Sequence, residues 1–116
     1  MNKHGFINFY RTREIDELLS TLPRKDLQAL YENTLRSLAY PKTKEELDLV
    51  KTIETYLNCQ CEISETSRRL YVHRNTVKYR IEKMEKMLNC SFRDPSDSLR
   101  FRVALLIGKI LESESE

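Results

Sequence analysis

Glycine occurs only twice and proline three times in the 116 residues, and no stretch alternates strictly between apolar and polar side chains. Strands joined by tight turns need those signals, so a sheet is not expected, and apolar residues recurring at three and four point to helices. No apolar run is long enough to span a bilayer, and no charged start leads into an apolar stretch of signal-peptide type, so the expected location is cytoplasmic, without membrane contact. Three cysteines, an odd number, fit a reducing compartment better than a disulfide framework. The two histidines lie far apart, no glycine-rich phosphate loop occurs and no serine sits in a nucleophile setting, so neither enzymatic activity nor a cofactor is expected. Cys59, Cys61, Cys90 and His73 lack the paired spacing of structural zinc sites, and no metal is expected.

Charge of one sign is also missing from the whole, since 20 basic residues against 18 acidic leave a formal +2. The distribution is more telling. From Ile63 to Cys90 seven basic side chains face three acidic ones, a local +4 that leaves −2 for the rest of the chain. Such a basic segment suits an anionic partner, although a basic amphipathic helix is often only a solvated face.

The length suits one small domain. A first helix is expected over Thr12 to Leu22, with Ile15, Leu18, Leu19 and Leu22 on one side. A second follows Pro23, carries Leu27, Leu30, Tyr31, Thr34, Leu35 and Leu38, and is expected to end at Pro41. A third opens with Thr43 and Glu46 as a capping box and buries Leu47, Val50, Ile53 and Leu57. Residues 58 to 63 read as a polar connector. Ser64 then caps a two-turn helix through Tyr71 with Ser67 and Leu70 inward, Ile63 and Val72 packing at its ends.

A basic helix begins near His73 or Arg74, with Val77, Ile81, Met84 and Leu88 in one narrow stripe and Asn75, Tyr79, Lys83 and Lys86 roughly opposite. Two short helices with a tight turn, the second basic on its outer face, make a helix-turn-helix whose second helix suits the major groove of DNA. The last helix starts with Asp94 as cap, Pro95 in the first position and Asp97 in the first turn. Its expected buried stripe is Leu99, Val103, Leu106, Ile107 and Ile110, leaving Phe101 and Leu105 as a second apolar patch for a partner. The acidic residues 113–116 read as a disordered tail.

The run SRRLYVHRNTVKYRIEKMEKMLN, followed by DPSDSLRFRVALLI, resembles the C-terminal DNA-binding domain of PucR-type transcriptional regulators, a group that includes carbohydrate-diacid regulators and whose domain is related to the helix-turn-helix of the Fis nucleoid protein. The resembling string is Leu70, Tyr71, Val72, His73, Arg74, Asn75, Thr76, Val77, Tyr79, Arg80 and Ile81. Residues 44 to 111 carry the likeness strongly and 7 to 40 loosely. Ser67 stands where many members have alanine, and Tyr71 where generic helix-turn-helix proteins have glycine, the latter being ordinary for this family. The resemblance implies an all-α domain of about five to six helices with a Fis-like helix-turn-helix. Members are usually much longer and carry sensory domains, which implies a fragment or stand-alone remnant whose effector is unknown.

The expected division is 1–40 as helical linker or dimerisation segment, 41–112 as DNA-binding domain and 113–116 as tail. The expected function is sequence-specific binding of double-stranded DNA by a bacterial transcriptional regulator, acting as a homodimer, with residues 74–88 in the major groove. The rival is a helical protein-interaction module whose basic helix docks an acidic partner. Arg74, Asn75, Thr76, Lys78 and Tyr79 are the expected DNA-facing surface, with Asn75 and Thr76 at the bases or else satisfying free amides at the helix start. His73 is a cap or a phosphate contact, and Tyr79 packs on the first helix or reaches DNA. Arg80 binds phosphate or pairs with Glu65 or Glu85. Arg68, Arg69, Lys83 and Lys86, on the flanks, are expected at the phosphate backbone.

Overall fold

The computed structural model describes residues 13–115. The expected helix start at Thr12, and everything before it in the 1–40 segment, lies outside the described residues. Helix α1 covers residues 13–19. It is followed by α2 (Arg24–Leu35), a 3-10 turn (Arg36–Leu38), α3 (Lys44–Asn58), α4 (Ile63–Leu70), α5 (Arg74–Leu88) and α6 (Pro95–Ser115), with no strand among the described residues. The fold is all-α, as the periodicity predicts. None of the described helices is long and apolar enough to cross a membrane.

Helix α2 follows Pro23 as expected, and the extended ψ of 140° at Pro23 puts that residue at the cap. The helix also stops well before Pro41, because Arg36 takes a positive φ of 50° and the chain tightens into the 3-10 turn, which keeps Leu38 buried. Helix α3 carries the expected capping box, the Glu46 amide donating to Thr43 Oγ1 (3.1 Å) and the Thr43 amide to Glu46 Oε1 (3.2 Å). Its buried face, however, is Leu49, Thr52, Ile53, Tyr56 and Leu57, while Leu47 is 54% exposed. The expected stripe is displaced because Thr52 and Tyr56, which periodicity scores as polar or mixed, belong inside. The Thr52 hydroxyl donates to the Asp48 carbonyl (2.7 Å), so hiding it leaves no donor unmatched.

The connector before α4 is not simply polar. Cys59 and Cys61 are buried, Gln60 and Cys61 turn the chain at positive φ, and the Cys61 thiol donates to the Phe92 carbonyl (3.4 Å). Glu62, not Ser64, caps α4 by accepting from the Glu65 amide (2.9 Å). With the helix starting two residues earlier, Thr66 is its fully buried side chain, and Ser67 and Leu70 are only half-buried.

Helix α6 departs from its expected stripe in the same way. Asp94 Oδ2 accepts from the Asp97 amide (3.0 Å) as expected of a cap. Yet Leu99 is 63% exposed and Leu106 only half-buried, whereas Phe101, Ala104, Ile107, Ile110 and Leu111 are buried. Because α2 and α3 both pack on this helix, two of its apolar sides are used, and the Phe101 and Leu105 patch faces the core instead of a partner. The helix persists to Ser115, over most of the span read as tail.

The main core joins Leu35, Leu38, Ile53, Leu57, Val77, Ile81, Met84, Leu88, Phe92 and Phe101. A smaller cluster holds Leu27 against Ile107, Ile110 and Leu111, with Leu19 and Tyr31 packed on it. Leu35, Leu38 and Ala39, from the segment expected as a linker or dimerisation element, share the main core with Leu49 onward.

Candidate nucleic-acid interface

Tyr71 makes the turn between α4 and α5. It sits in the left-handed region (φ 58°, ψ 41°), and the Val72 amide donates back to the Ser67 carbonyl (3.2 Å), closing the end of α4. Val72 packs on the core, while the Tyr71 side chain is left outside, the residue being 94% exposed. A left-handed tyrosine with so little packing is a strained position that sequence periodicity does not reveal.

Helix α5 starts from His73, whose Nδ1 accepts from the Asn75 amide (3.0 Å). The cap places the proton of the neutral ring on Nε2, where it is free to donate outward. Val77, Ile81, Met84 and Leu88 are all buried, the stripe expected from spacing. Asn75, Lys78, Tyr79 and Lys86 consequently stand exposed on the other side, with Arg74 at the helix start and Thr76 half-buried.

The cations divide into two groups. Arg68 and Arg69 both donate to Glu65 on their own helix, at 3.2 and 3.1 Å from their Nε atoms. Those hydrogen bonds hold the Glu65 carboxyl below its ordinary range. Arg80 takes neither expected partner: it donates to Thr52 Oγ1 (3.2 Å), lies 3.7 Å from Asp48 Oδ2 and has a side chain only 21% exposed. Lys83 Nζ is 2.6 Å from Glu45 Oε2 and 5.8 Å from the centre of the Tyr79 ring, and the hydrogen bond to Glu45 raises its pKa. Arg74, Lys78 and Lys86 form no ion pair among the described residues.

The partners Glu45, Asp48 and Thr52 were not singled out in the sequence. One signal was present: Glu45 and Asp48 stand three apart on α3, as Arg80 and Lys83 do on α5, so two helices crossing side by side can match both pairs. Among the described residues no three histidine, cysteine or acidic side chains gather as a metal set.

Comparison with known proteins points to the same motif. The chain is 46% identical over 107 residues to the purine catabolism regulatory protein of Bacillus subtilis, matching 92% of this chain and 20% of that protein. It is 32% identical over 103 residues to the proline-responsive transcriptional activator PutR of the same organism, matching 86% of this chain and 25% of the relative. The chain thus spans only a fifth to a quarter of the length of these relatives. The crystal structure of a regulator of polyketide synthase expression from Bifidobacterium adolescentis superposes with a TM-score of 0.62 at 26% identity, over 83% of this chain and 39% of that one. Residues 49–107, which run from the buried face of α3 through the helix-turn-helix to Ile107, match the PucR C-terminal helix-turn-helix domain, and the chain belongs to that family.

Proposed function

We propose that this domain binds duplex DNA as part of a transcriptional regulator, with α5 in the major groove. The observation that carries the reading is the split of α5 into a fully packed stripe and an outer face on which Asn75, Lys78, Tyr79 and Lys86 stand together, led by Arg74. Donors at the start of such a helix reach base edges, and cations along its sides reach phosphates. Asn75 and Thr76 are assigned to bases, Arg74, Lys78 and Lys86 to phosphates, and His73 Nε2 to a phosphate at the helix start. Arg68 and Arg69 reach the backbone only at the expense of their bonds to Glu65. Arg80, committed to Thr52 and Asp48, orients α5 rather than touching DNA.

Selection of duplexes from a random pool by the purified chain, followed by binding measurements across salt, tests this. Asn75→Ala should relax preference at one base position and cost about 1–3 kcal/mol on the selected site. Binding to acidic polypeptides that duplex DNA cannot displace would instead assign the face to an acidic protein partner.

A palindromic selected sequence would support a homodimer, since two helices about one turn apart read more bases than one. With Phe101 in the core, the surface left for pairing is the N-terminal segment, where Leu18 is 69% exposed and Ile15 and Leu22 are also outside. Leu18→Glu should return a dimer to monomer in sedimentation; unchanged association would remove that surface.

A further inference from the structure

Lys83 stands on the edge of the face assigned to DNA, and in the free protein its charge is already taken. Its ammonium lies beside the exposed ring of Tyr79, one turn earlier on α5, and is bonded to Glu45 in the first turn of α3. We propose that Glu45 is a built-in competitor of DNA, holding Lys83 until a backbone phosphate takes its place, so that Glu45 sets how tightly the domain grips any duplex without reading a base. This rests on the assignment of the outer face of α5 to DNA.

Three features single out this pair among the acid–base contacts of the motif. The carboxylate is 61% exposed and the Lys83 side chain 34% exposed, so a phosphate oxygen can approach the ammonium. Lysine is a point charge with three rotatable donors, which exchanges one oxyanion for another without the planar matching that arginine needs. Arg80 lacks that freedom, being largely buried and held by two partners.

The third feature is what each exchange leaves behind. Glu65 bonds two arginines, so losing either to DNA leaves it neutralised by the other. Glu45 forms no ion pair other than that with Lys83 among the described residues, so the exchange leaves a bare carboxylate next to the phosphate backbone. Repulsion between those like charges opposes binding to every sequence equally.

The test uses the full chain and a fluorescein-labelled duplex of random sequence, titrated at several salt concentrations between about 50 and 200 mM. Glu45→Gln should bind about two- to five-fold tighter than the parent, with the salt slope unchanged. Lys83→Met should bind more weakly and flatten the slope by about 0.9, the loss of one phosphate contact. In the Lys83→Met background, Glu45→Gln should gain clearly less than in the parent, keeping only the relief of repulsion between its carboxylate and the phosphates. An equal gain with and without Lys83 would mean that Glu45 acts only as a nearby negative charge and would overturn the exchange, as would a Lys83→Met variant whose slope does not change. No salt-dependent binding by the parent chain would overturn the DNA assignment itself, and this inference with it.

Discussion

Around the helix-turn-helix, the core gathers residues from Leu35 to Phe101, whereas the cluster beneath α1 and α2 joins little more than Leu27 to the last turns of α6. The first contains a run of rings packed edge to face, Tyr56 on Phe92 at 6.5 Å and Phe92 on Phe101 at 5.1 Å. The second is mostly aliphatic, and α1 above it leaves Ile15 and Leu18 outside. Edge-to-face rings add specific geometry to area burial, so they tie the loop after α5 to α3 and α6 in one arrangement. Helix α5 is thus oriented by the part of the molecule with the most interlocked packing, while the N-terminal helices are attached by a smaller and more uniform contact.

Truncation in both clusters is the strongest test of that difference. Phe92, fully buried and central to the ring run, should cost about 3–5 kcal/mol as alanine. Leu27→Ala should cost closer to about 2 kcal/mol, near the low end for a buried leucine. Urea denaturation of the two variants measures both, and an equal or larger loss at Leu27 would break the comparison.

Gly108→Ala probes how tight the smaller contact is. An added Cβ would lie 2.7 Å from Tyr31 Cε1, and that ring is tethered by its hydroxyl, which donates to the Ala39 carbonyl (2.6 Å). Helix propensity favours alanine by about 1 kcal/mol, but overpacking costs about 1–3 kcal/mol, so net destabilisation is expected. A raised melting temperature would show that α2 can move away from α6 freely.

Tyr71→Gly addresses the motif side. It removes a left-handed tyrosine whose ring has almost no packing to lose, and should raise stability by about 0.5–1 kcal/mol in urea. A lower midpoint would show that the ring supports the turn.

The smallest effect concerns acid. The amides of Lys42 and Thr43 hold the Glu46 carboxyl low, and the two arginines do the same for Glu65. Because the folded values lie below the unfolded ones, this stabilisation is complete above the ordinary glutamate pKa of 4.5 and is lost as pH falls through the folded values. Glu65→Gln should therefore shrink the fall in urea midpoint on acidification below about pH 5, and an unaltered acid limb would show that Glu65 contributes nothing there.

The stripe of α5, the Thr43–Glu46 box and the Asp94 cap were legible from residue spacing because each depends on partners within one turn or on a helix with one apolar side. Leu47 and Leu99 were misplaced for the opposite reason: α3 and α6 carry apolar residues on more than one side, and only the docking of neighbouring helices selects between them. Thr52, Thr66 and Phe92 escaped notice because two are polar side chains satisfied by their own helix and the third lies in a short loop.

The amino-acid sequence by itself determined the helical class, the family string from Leu70 to Ile81 and the division of α5 into an inner and an outer face, since helical period and capping are properties of consecutive residues. Tertiary structure alone decided that Arg80 serves Thr52 and Asp48, that Lys83 meets Glu45, that Phe101 lies inside and that Leu35 and Leu38 share a core with Leu49 and Ile53. Those outcomes depend on how helices distant in sequence cross, which sets which side chains meet, and no local spacing contains that information.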